Sequence, residues 1–403
     1  MLAYKQAVEK VFEQISQVPK LTEQVNIVDS IGRVLAEDII SDVNLPPFNS
    51  SAMDGYTVRF HPEIRKWNVI GELSAGNFKD FEIDFDNTVS IMTGAKLPVG
   101  ADTIIPVEDC VISESSISLK EDYLLKSGRH IRLKGEDLLK DSIAISAGTL
   151  LKSSNISLAA ACGKSTISVF SKLNIGVFAT GDELVSVNTI PANDQIRSSN
   201  LATIIALINE INMESTDFGI INDKMHLIEE KLIQALSSDI DILITTGGVS
   251  VGKYDFMQEA LKSIGAEIQF WKVNIKPGKP FLFSTYKIGN KIVPIFSLPG
   301  NPLSCFVNFQ LFVKETLLMH YGIKNTNHFS AKLKSNVRKG DNRLHFIMAK
   351  SNFNHELGCF EVENAGSQSS GSMSTMSQSD CMFLFPENLT VFTKGDWVEC
   401  IRI

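Results

Sequence analysis

Residues that cross-link chains or bind soft metals are scarce in this sequence. Its 6 cysteines are widely spaced and contain no Cys-x-x-Cys pair, which argues against a disulfide framework and against a zinc knuckle. No apolar run approaches the ~20 residues needed to span a bilayer, and the N-terminus lacks the pattern of a signal peptide. We therefore expect a cytoplasmic protein that does not associate with a membrane.

An excess of positive charge is also missing. The formal net charge is -8 at pH 7, which argues against nucleic acid or an anionic membrane surface as a partner, so any anion site must be local. Hydrophobic residues at 44% and charged residues at 21% are ordinary for a folded globular protein. A length of 403 residues predicts about two to four domains.

The first 170 residues suggest a two-segment body that surrounds an insertion. Apolar spacing predicts a helix over 3–17, and a second apolar series from Val25 to Leu35 also favours helix, at least in part. Between Leu45 and Leu138, short strand-like runs alternate with Gly, Pro and Asp. We predict that residues 1–45 and 139–170 form the body and that residues 46–138 form a β-rich inserted domain.

Residues 171–322 alternate strand-like and helix-like segments, which predicts an α/β domain with a parallel sheet and crossover helices. Three strand-like runs end in polar, glycine-bearing turns at 178–184, 244–252 and 296–302. Ligands bind at the carboxyl ends of strands in such sheets, so these turns should line one rim. Short β runs return over 323–403 and predict a small C-terminal β-barrel or sandwich. The predicted fold is therefore multidomain, α/β plus β.

The Gly247-Gly248 turn is a candidate anion site, because glycines let the backbone approach a ligand and Ser250 adds a hydroxyl. It lacks both the Walker ending and the dinucleotide fingerprint, so nucleotide hydrolysis and nicotinamide chemistry lose support. A lone Gly-Gly turn is more often structural. Asp255 follows where a carboxylate either caps a helix or binds a cation.

Lysines and carboxylates accumulate near the predicted rim. Lys272 and Lys276 share a face if a strand runs through Ile275, and Lys279 follows a Pro-Gly turn; the alternative is that all three are solvated surface lysines. The carboxylates that fall in turns are Asp54, Asp109, Asp137, Asp182, Glu183 and Asp255. Oxygen ligands with few histidines suit Mg²⁺, and lysines beside them suit a phosphate-bearing substrate.

Two polar segments each permit two interpretations. The segment 45–59, which contains Asp54-Gly55, is typical of a site loop or of a rigid turn that enters a strand. The stretch 366–379, rich in Ser, Gly and Gln, is typical of a flexible linker or of a hydroxyl-rich loop that contacts a ligand.

Several motifs, spread over residues 1–403, carry a family resemblance. They are Pro46-Pro-Phe-Asn-Ser-Ser-Ala-Met-Asp-Gly-Tyr, Met92-Thr-Gly-Ala-Lys-Leu-Pro-Val-Gly-Ala-Asp-Thr, Arg132-Leu-Lys-Gly-Glu-Asp, Thr180-Gly-Asp-Glu-Leu, Thr246-Gly-Gly-Val-Ser-Val-Gly-Lys-Tyr-Asp, Lys276-Pro-Gly-Lys-Pro and Leu298-Pro-Gly-Asn-Pro. Together, in this order, they resemble the molybdopterin molybdenumtransferase family, to which the carboxyl-terminal domain of gephyrin also belongs.

The resemblance implies insertion of molybdate into adenylylated molybdopterin with Mg²⁺, releasing AMP and the molybdenum cofactor. It also implies a homodimer with shared active sites, and molybdopterin adenylyltransferase and molybdoenzyme maturation proteins as further partners. Matching the motifs residue by residue implies catalytic roles for Asp54, Thr93, Asp137, Glu183, Asp255 and Lys276; substrate binding by Gly247, Gly248, Ser250, Lys272, Lys279, Pro299, Pro302, Ser370 and Ser374; and metal binding by Asp54, Glu183, Asp223 and Asp255.

Two departures from the family pattern affect the metal site. Ser198-Ser199-Asn200 stands where the family commonly has Asp-Ser-Asn, and Asn222-Asp223-Lys224 replaces a usual pair of acids. A non-catalytic scaffold or cofactor carrier is one alternative, and a molybdopterin adenylyltransferase is another, although that smaller fold would not need residues 45–138 or 325–403. The sequence does not separate molybdate from tungstate.

Overall fold

The chain divides into two compact units in the computed structural model, which describes residues 1–76, 79–249, 256–323 and 327–403. The β-rich unit comprises Gln24–Ile31 and Leu35–Val169, and the larger unit comprises Met1–Glu23, Gly32–Val34 and Phe170–Ile403. Among the described helices, none is both long and apolar enough to cross a membrane. All six cysteines are free thiols.

Short strands dominate the chain up to residue 170. The elements are α1 (Tyr4–Ile15), β1 (Thr22–Asn26), β2 (Ile39–Ile40), β3 (Ser50–Ser51), β4 (Gly55–Val58), β5 (Lys66–Leu73), β6 (Asn87–Ile91), β7 (Thr103–Pro106), β8 (Cys110–Ile112), β9 (Ser116–Leu119), β10 (Ile131–Arg132), β11 (Ile143–Ile145), α2 (Ser153–Ala161) and β12 (Thr166–Phe170). Six of them form a sheet in the order β7-β4-β6-β5-β9-β8. The predicted β-rich character of this region and the predicted strand after Asp54-Gly55 are confirmed.

The helical character expected within residues 25–35 is confined to one short turn. Strand β1 ends at Asn26, and a single 3-10 turn covers Ile27–Ser30. The Asn26 side chain accepts a hydrogen bond from the backbone N–H of Val28 at 3.1 Å and so caps this turn. Val28 and Ile31 are more than half exposed, so the apolar series does not form the buried face of a helix.

The α/β part of the larger unit is a mixed six-stranded sheet covered by helices. Its elements are β13 (Asn174–Thr180), β14 (Leu184–Val185), β15 (Ile196–Arg197), α3 (Ser199–Glu210), β16 (Glu214–Ile221), α4 (Met225–Leu236), β17 (Ile242–Thr246), α5 (Met257–Ser263), β18 (Glu267–Trp271), β19 (Ile275–Lys276), β20 (Leu282–Ile288), β21 (Lys291–Leu298), α6 (Pro302–Asn308), a π-helical turn (Phe309–Lys314) and α7 (Glu315–His320). The strand order is β16-β13-β17-β21-β20-β18.

One strand departs from the expected parallel arrangement. β16, β13, β17 and β21 are parallel, whereas β20 runs antiparallel to both of its neighbours. The reason is local, because β20 and β21 are joined by a two-residue hairpin at 289–290, and such a short link can join only antiparallel strands.

Alternating side chains of the sheet supply two hydrophobic cores. In β13, Val177 packs with α3 and α6 on one face, while Phe178 packs with α4 and α5 on the other. In β17, Ile244 belongs to the same core as Val177, and Leu243 belongs to the same core as Phe178. This period of two buries both faces of the central strands and leaves their carboxyl ends to line a rim.

The C-terminal part of the larger unit is a closed five-stranded barrel, as predicted. Its elements are β22 (His328–Leu333), β23 (Val337–Arg338), β24 (Leu344–Asn354), β25 (Cys359–Asn364), α8 (Met373–Gln378), β26 (Cys381–Phe385), β27 (Val391–Phe392) and β28 (Trp397–Arg402). The barrel order β24-β25-β22-β28-β26 returns to β24, and β19 adds to β24 on the outside. Phe346 of β24 contributes to the same apolar core as α1 and the sheet, which fixes the barrel against the α/β part.

Candidate active site

The carboxyl ends of three neighbouring parallel strands line one cleft, as the sequence predicted. Thr180 ends β13, Thr246 ends β17 and Pro299 follows β21, and these residues border a cavity of about 360 Å³. The cleft is also lined by Glu183, Ser198, Asn200, Asp223, Gly247, Gly248, Pro280, Gly300 and Pro302. The rim therefore joins turns that lie more than a hundred residues apart in the sequence.

Gly247 and Gly248 form a close backbone approach on the floor of the cleft. Their φ angles are +98° and +64°, in the region that favours glycine. A Cβ atom on Gly247 would lie 2.2 Å from the carbonyl oxygen of Thr180 and 2.8 Å from its Oγ1. The turn can take this path only because position 247 has no side chain.

Two buried hydroxyl groups in this cleft have no hydrogen-bond partner among the described residues. Ser198 is 4% exposed and Thr180 is 3% exposed, and neither Oγ of Ser198 nor Oγ1 of Thr180 has a hydrogen-bond partner within the described ranges. A buried polar atom without a partner is costly, so both hydroxyls fit a polar ligand that enters the cleft.

Asn200 at the start of α3 ties two of the strand ends together. Its Nδ2 donates to Thr246 Oγ1 at 3.0 Å and to the carbonyl oxygen of Gly300 at 2.8 Å. Thr246 Oγ1 in turn donates to the carbonyl oxygen of Pro299 at 3.2 Å. These bonds hold the rim in one arrangement before a ligand binds.

Within the described ranges, Glu183 and Asp223 are the carboxylates that line the cleft. The backbone N–H of Asp223 donates to Asp182 Oδ1 at 3.1 Å, which joins the two acidic turns. No group of three or more metal-binding side chains occurs among the residues that the structure describes. Mg²⁺ commonly needs only one or two carboxylates together with substrate phosphates, so Glu183 and Asp223 fit this ion.

The three lysines of the segment 272–279 diverge, contrary to the idea of a shared strand face. β18 ends at Trp271, Lys272 has φ +73°, and a separate strand, β19, begins at Ile275, so Lys272 and Lys276 do not lie on one continuous strand. Lys272 Nζ lies 3.6 Å from the centre of the Trp271 ring, whose Nε1 donates to the carbonyl oxygen of Val249 in the cleft wall. Lys279 is exposed beside Pro280 of the cleft.

Lys276 borders a different, smaller cavity of about 210 Å³, against the barrel. Its roles in catalysis and anion binding remain predictions, and its neighbours in this second cavity include His345 and Lys339.

The stretch 366–379 is packed against the rest of the larger unit, so the flexible-linker interpretation is wrong. It contains helix α8, and Gln368 bonds to both backbone groups of Met348. The carbonyl oxygen of Ser370 accepts from the N–H of Leu303, directly after Pro302 of the cleft. Ser374 lies exposed on α8. Ligand contact by these serines stays a prediction.

Asp54, Thr93 and Asp137 belong to the β-rich unit. Asp54 Oδ1 accepts from both the backbone N–H and the Oγ1 of Thr93, each at 2.7 Å. These two bonds, the backbone one first, lower the pKa of the exposed Asp54 carboxyl and keep it ionised. Asp137 is exposed, and its N–H donates to the carbonyl oxygen of Leu45. Ser250 and Asp255 lie outside the described residues.

Thr180, Ser198 and Asn200 line the cleft but were not predicted as site residues. Thr180 belongs to the motif Thr180-Gly-Asp-Glu-Leu, and the other two belong to Ser198-Ser199-Asn200. A hydroxyl or an amide in such a turn is too common to be singled out without the fold. A usable signal was position, because Thr180 is the last residue of β13, and Ser198 and Asn200 lie at the start of α3.

Family models match almost the whole chain. The MoeA N-terminal region (domain I and II) matches residues 2–163, a probable molybdopterin binding domain matches residues 176–319, and the MoeA C-terminal region (domain IV) matches residues 330–403. The second match contains the sheet and the cleft. The fold and the cleft thus define a multidomain protein of the molybdopterin-binding class.

Relatives that align with the whole chain show the family to which it belongs. The chain is 36% identical to a molybdopterin molybdenumtransferase of Haemophilus influenzae, covering 99% of this chain and 98% of the relative. It is 31% identical to gephyrin of Dictyostelium discoideum, with 100% of this chain and 62% of that longer protein covered. A crystal structure of the molybdopterin biosynthesis moeA protein from Pyrococcus horikoshii OT3 aligns over 100% of both chains at 26% identity with a TM-score of 0.82. The chain belongs to the molybdopterin molybdenumtransferase family.

Proposed function

We propose that this protein is a molybdopterin molybdenumtransferase that inserts molybdate into adenylylated molybdopterin in the cytoplasm and releases AMP. The observation that carries the proposal is the preformed cleft at the strand ends, within the part of the chain that matches a probable molybdopterin binding domain. Full-length similarity to a named transferase supports the same reaction.

Different residues of the cleft bind different parts of the substrate. The Gly247-Gly248 turn lets the backbone approach an oxyanion such as the substrate's phosphate. The hydroxyls of Thr180 and Ser198, which have no partner in the described part of the chain, bind polar groups of the nucleotide or the pterin. Asn200 keeps the strand ends in place, so that little reorganisation accompanies binding.

Mg²⁺ dependence is part of the proposal. Glu183 and Asp223 would hold the ion together with phosphate oxygens of the substrate. Bound there, Mg²⁺ would offset negative charge on the phosphate during AMP release. Lys276 would contribute a separate positive charge toward the anionic substrate.

A homodimer with shared sites is also proposed. The Asp54 carboxylate is held by two hydrogen bonds from Thr93 in the β-rich unit, whereas Glu183 and Asp223 line the cleft of the larger unit. If the partner subunit supplies Asp54, a mixture of Asp54→Asn chains with Glu183→Gln chains should regain activity, because one site of each heterodimer is then intact. Heterodimers, verified by mass spectrometry, that stay as inactive as their parents would contradict sharing.

The main experiment measures AMP release. Purified protein is given adenylylated molybdopterin, Mg²⁺ and either molybdate or tungstate, and the product is tested by activation of a molybdenum-free apoenzyme. Glu183→Gln should abolish AMP release, whereas Glu230→Gln on the exposed side of α4 should not.

The outcome separates the proposal from its alternatives. A scaffold or carrier would bind the substrate without releasing AMP, and an adenylyltransferase would consume ATP instead of releasing AMP from the adenylylated pterin. Oxyanion-dependent AMP release by the wild type, lost in Glu183→Gln, is the result that the proposal requires.

A further inference from the structure

The turn Lys339–His345, which enters the barrel at β24, is built around one carboxylate. Asp341 Oδ1 accepts from Arg343 Nε at 3.2 Å, and Asp341 Oδ2 accepts from Arg343 Nη2 at 2.7 Å. Oδ1 also bonds His345 Nε2 at 2.8 Å and the backbone N–H of Arg343 at 3.1 Å. Asp341 thus holds a forked guanidinium and a buried imidazole at once.

The base of this turn is fixed by Lys339. Lys339 is 9% exposed, and its Nζ donates to the carbonyl oxygens of Arg343 at 2.6 Å, of Phe385 at 3.4 Å and of Pro386. Three carbonyl acceptors satisfy an ammonium group, so the ends of the turn cannot shift without breaking charge-assisted bonds. Asp341 therefore sits on a rigid support.

Lys276 lies directly beside this turn. β19 pairs with β24 in the register Lys276↔His345, and Lys276 Nζ is 3.8 Å from Asp341 Oδ2. Lys276 also lines the 210 Å³ cavity together with Arg338, Lys339 and His345. Its side chain is 46% exposed, so no packing holds the ammonium group in one direction.

We propose that Asp341 is a positioning residue for Lys276, which directs the lysine ammonium along the mouth of this cavity. The inference rests on the proposed substrate-binding role of Lys276. An exposed ion pair at this distance adds little to stability. Without the carboxylate, however, Lys276 would face the positive charges of Arg343 and Lys339 alone and would turn toward solvent. Asp341 therefore determines the position of the Lys276 ammonium group and contributes little to the stability of the barrel.

A double-mutant cycle tests the inference. Asp341→Asn keeps the shape of the side chain and removes its charge, and it should raise the KM for the substrate oxyanion about three- to tenfold with kcat nearly unchanged. In a Lys276→Ala background the same change should have no further effect, because the group that it positions is gone. Asp380→Asn is the matched control, since Asp380 accepts two hydrogen bonds from Ser351 in the same barrel, whereas the carboxylate beside Lys276 is Asp341.

The outcomes are distinguishable. If Lys276→Ala leaves KM unchanged, the proposed role of Lys276 fails and the inference falls with it. If Lys276→Ala raises KM but Asp341→Asn does not, or if the effects of the two changes simply add, only the positioning role is overturned. A lower melting temperature with unchanged kinetics would likewise overturn it.

A second readout needs no transferase activity. Burial lowers the pKa of His345, and the hydrogen bond and charge of Asp341 oppose that effect. Asp341→Asn should therefore lower the pKa of His345 further in an NMR titration, whereas Asp380→Asn should leave it unchanged. An unchanged pKa in Asp341→Asn would mean that the charged turn does not exist as described, and the inference would be withdrawn.

Discussion

A methyl group at position 247 should disrupt the floor of the cleft. Gly247 has φ +98°, outside the left-handed well that other residues tolerate, and strain of this kind costs about 1–3 kcal/mol. The added Cβ would lie 2.2 Å from the backbone oxygen of Thr180, so the end of β13 has to move. Overpacking typically adds about 1–3 kcal/mol, and we expect Gly247→Ala to cost roughly 2–6 kcal/mol in all.

Gly289→Ala is the matched control. Gly289 lies in the hairpin between β20 and β21 with φ +59° and no heavy atom within 4 Å of its ideal Cβ, so alanine there meets only a left-handed strain of about 1–2 kcal/mol. Urea unfolding of both variants gives the difference, and AMP release tests the cleft. Equal stability of the two variants, with wild-type substrate affinity for Gly247→Ala, would refute the described geometry.

A second glycine separates side-chain overlap from backbone overlap. A Cβ on Gly248 would lie 3.2 Å from Thr180 Oγ1, with no backbone atom of Thr180 among its nearest neighbours. Thr180→Ala should therefore relieve part of the cost of Gly248→Ala. It should not rescue Gly247→Ala, because the carbonyl oxygen of residue 180 remains.

Three further perturbations have definite expected results. His320 is 2% exposed, and burial, with a contribution from Lys20, lowers its pKa to about 4. The stability that neutral His320 contributes is complete above its unfolded pKa near 6.5 and is lost as the pH falls toward about 4. In urea titrations the wild type should therefore lose about 3 kcal/mol more stability than His320→Leu over that pH range. Thr93→Val should raise the pKa of Asp54 only part of the way in an NMR titration, because the backbone N–H of residue 93, the larger cause, is retained, while the pKa of Asp84 stays unchanged. Asn200→Ala should cost about 1–3 kcal/mol in thermal unfolding and reduce AMP release, because Thr246 and Gly300 lose their common donor; a stable and fully active variant would contradict the bracing role.

Periodicity was a good guide to the central sheet and a poor one near the N-terminus. Strand-like and helix-like segments alternated over 171–322. Parallel strands joined by crossover helices have their carboxyl ends on one edge of the sheet, so the three glycine-bearing turns had to meet at one rim. Over 25–35 the apolar spacing predicted more helix than the single 3-10 turn at Ile27–Ser30. A side-chain cap at Asn26 and the pairing of β1 determined the local structure there, and neither is visible in hydrophobic spacing.

The arrangement of the charged groups was the least predictable part of the site, and Lys276 shows why. The spacing of Lys272 and Lys276 assumed one continuous strand, whereas β18 ends before Lys272, which has φ +73°. Lys272 lies over the Trp271 ring, and Lys276 lines the 210 Å³ cavity. The counter-charge of Lys276 comes from Asp341, in a turn of the barrel that no local pattern connects with the segment 272–279. The energy of a charge pair changes within a few ångströms of separation, whereas sequence spacing sets only an upper limit on the distance between two residues. Only the register of β19 against β24 brings Lys276, His345 and Asp341 together, and this pairing links the barrel to the chemistry proposed for the α/β part.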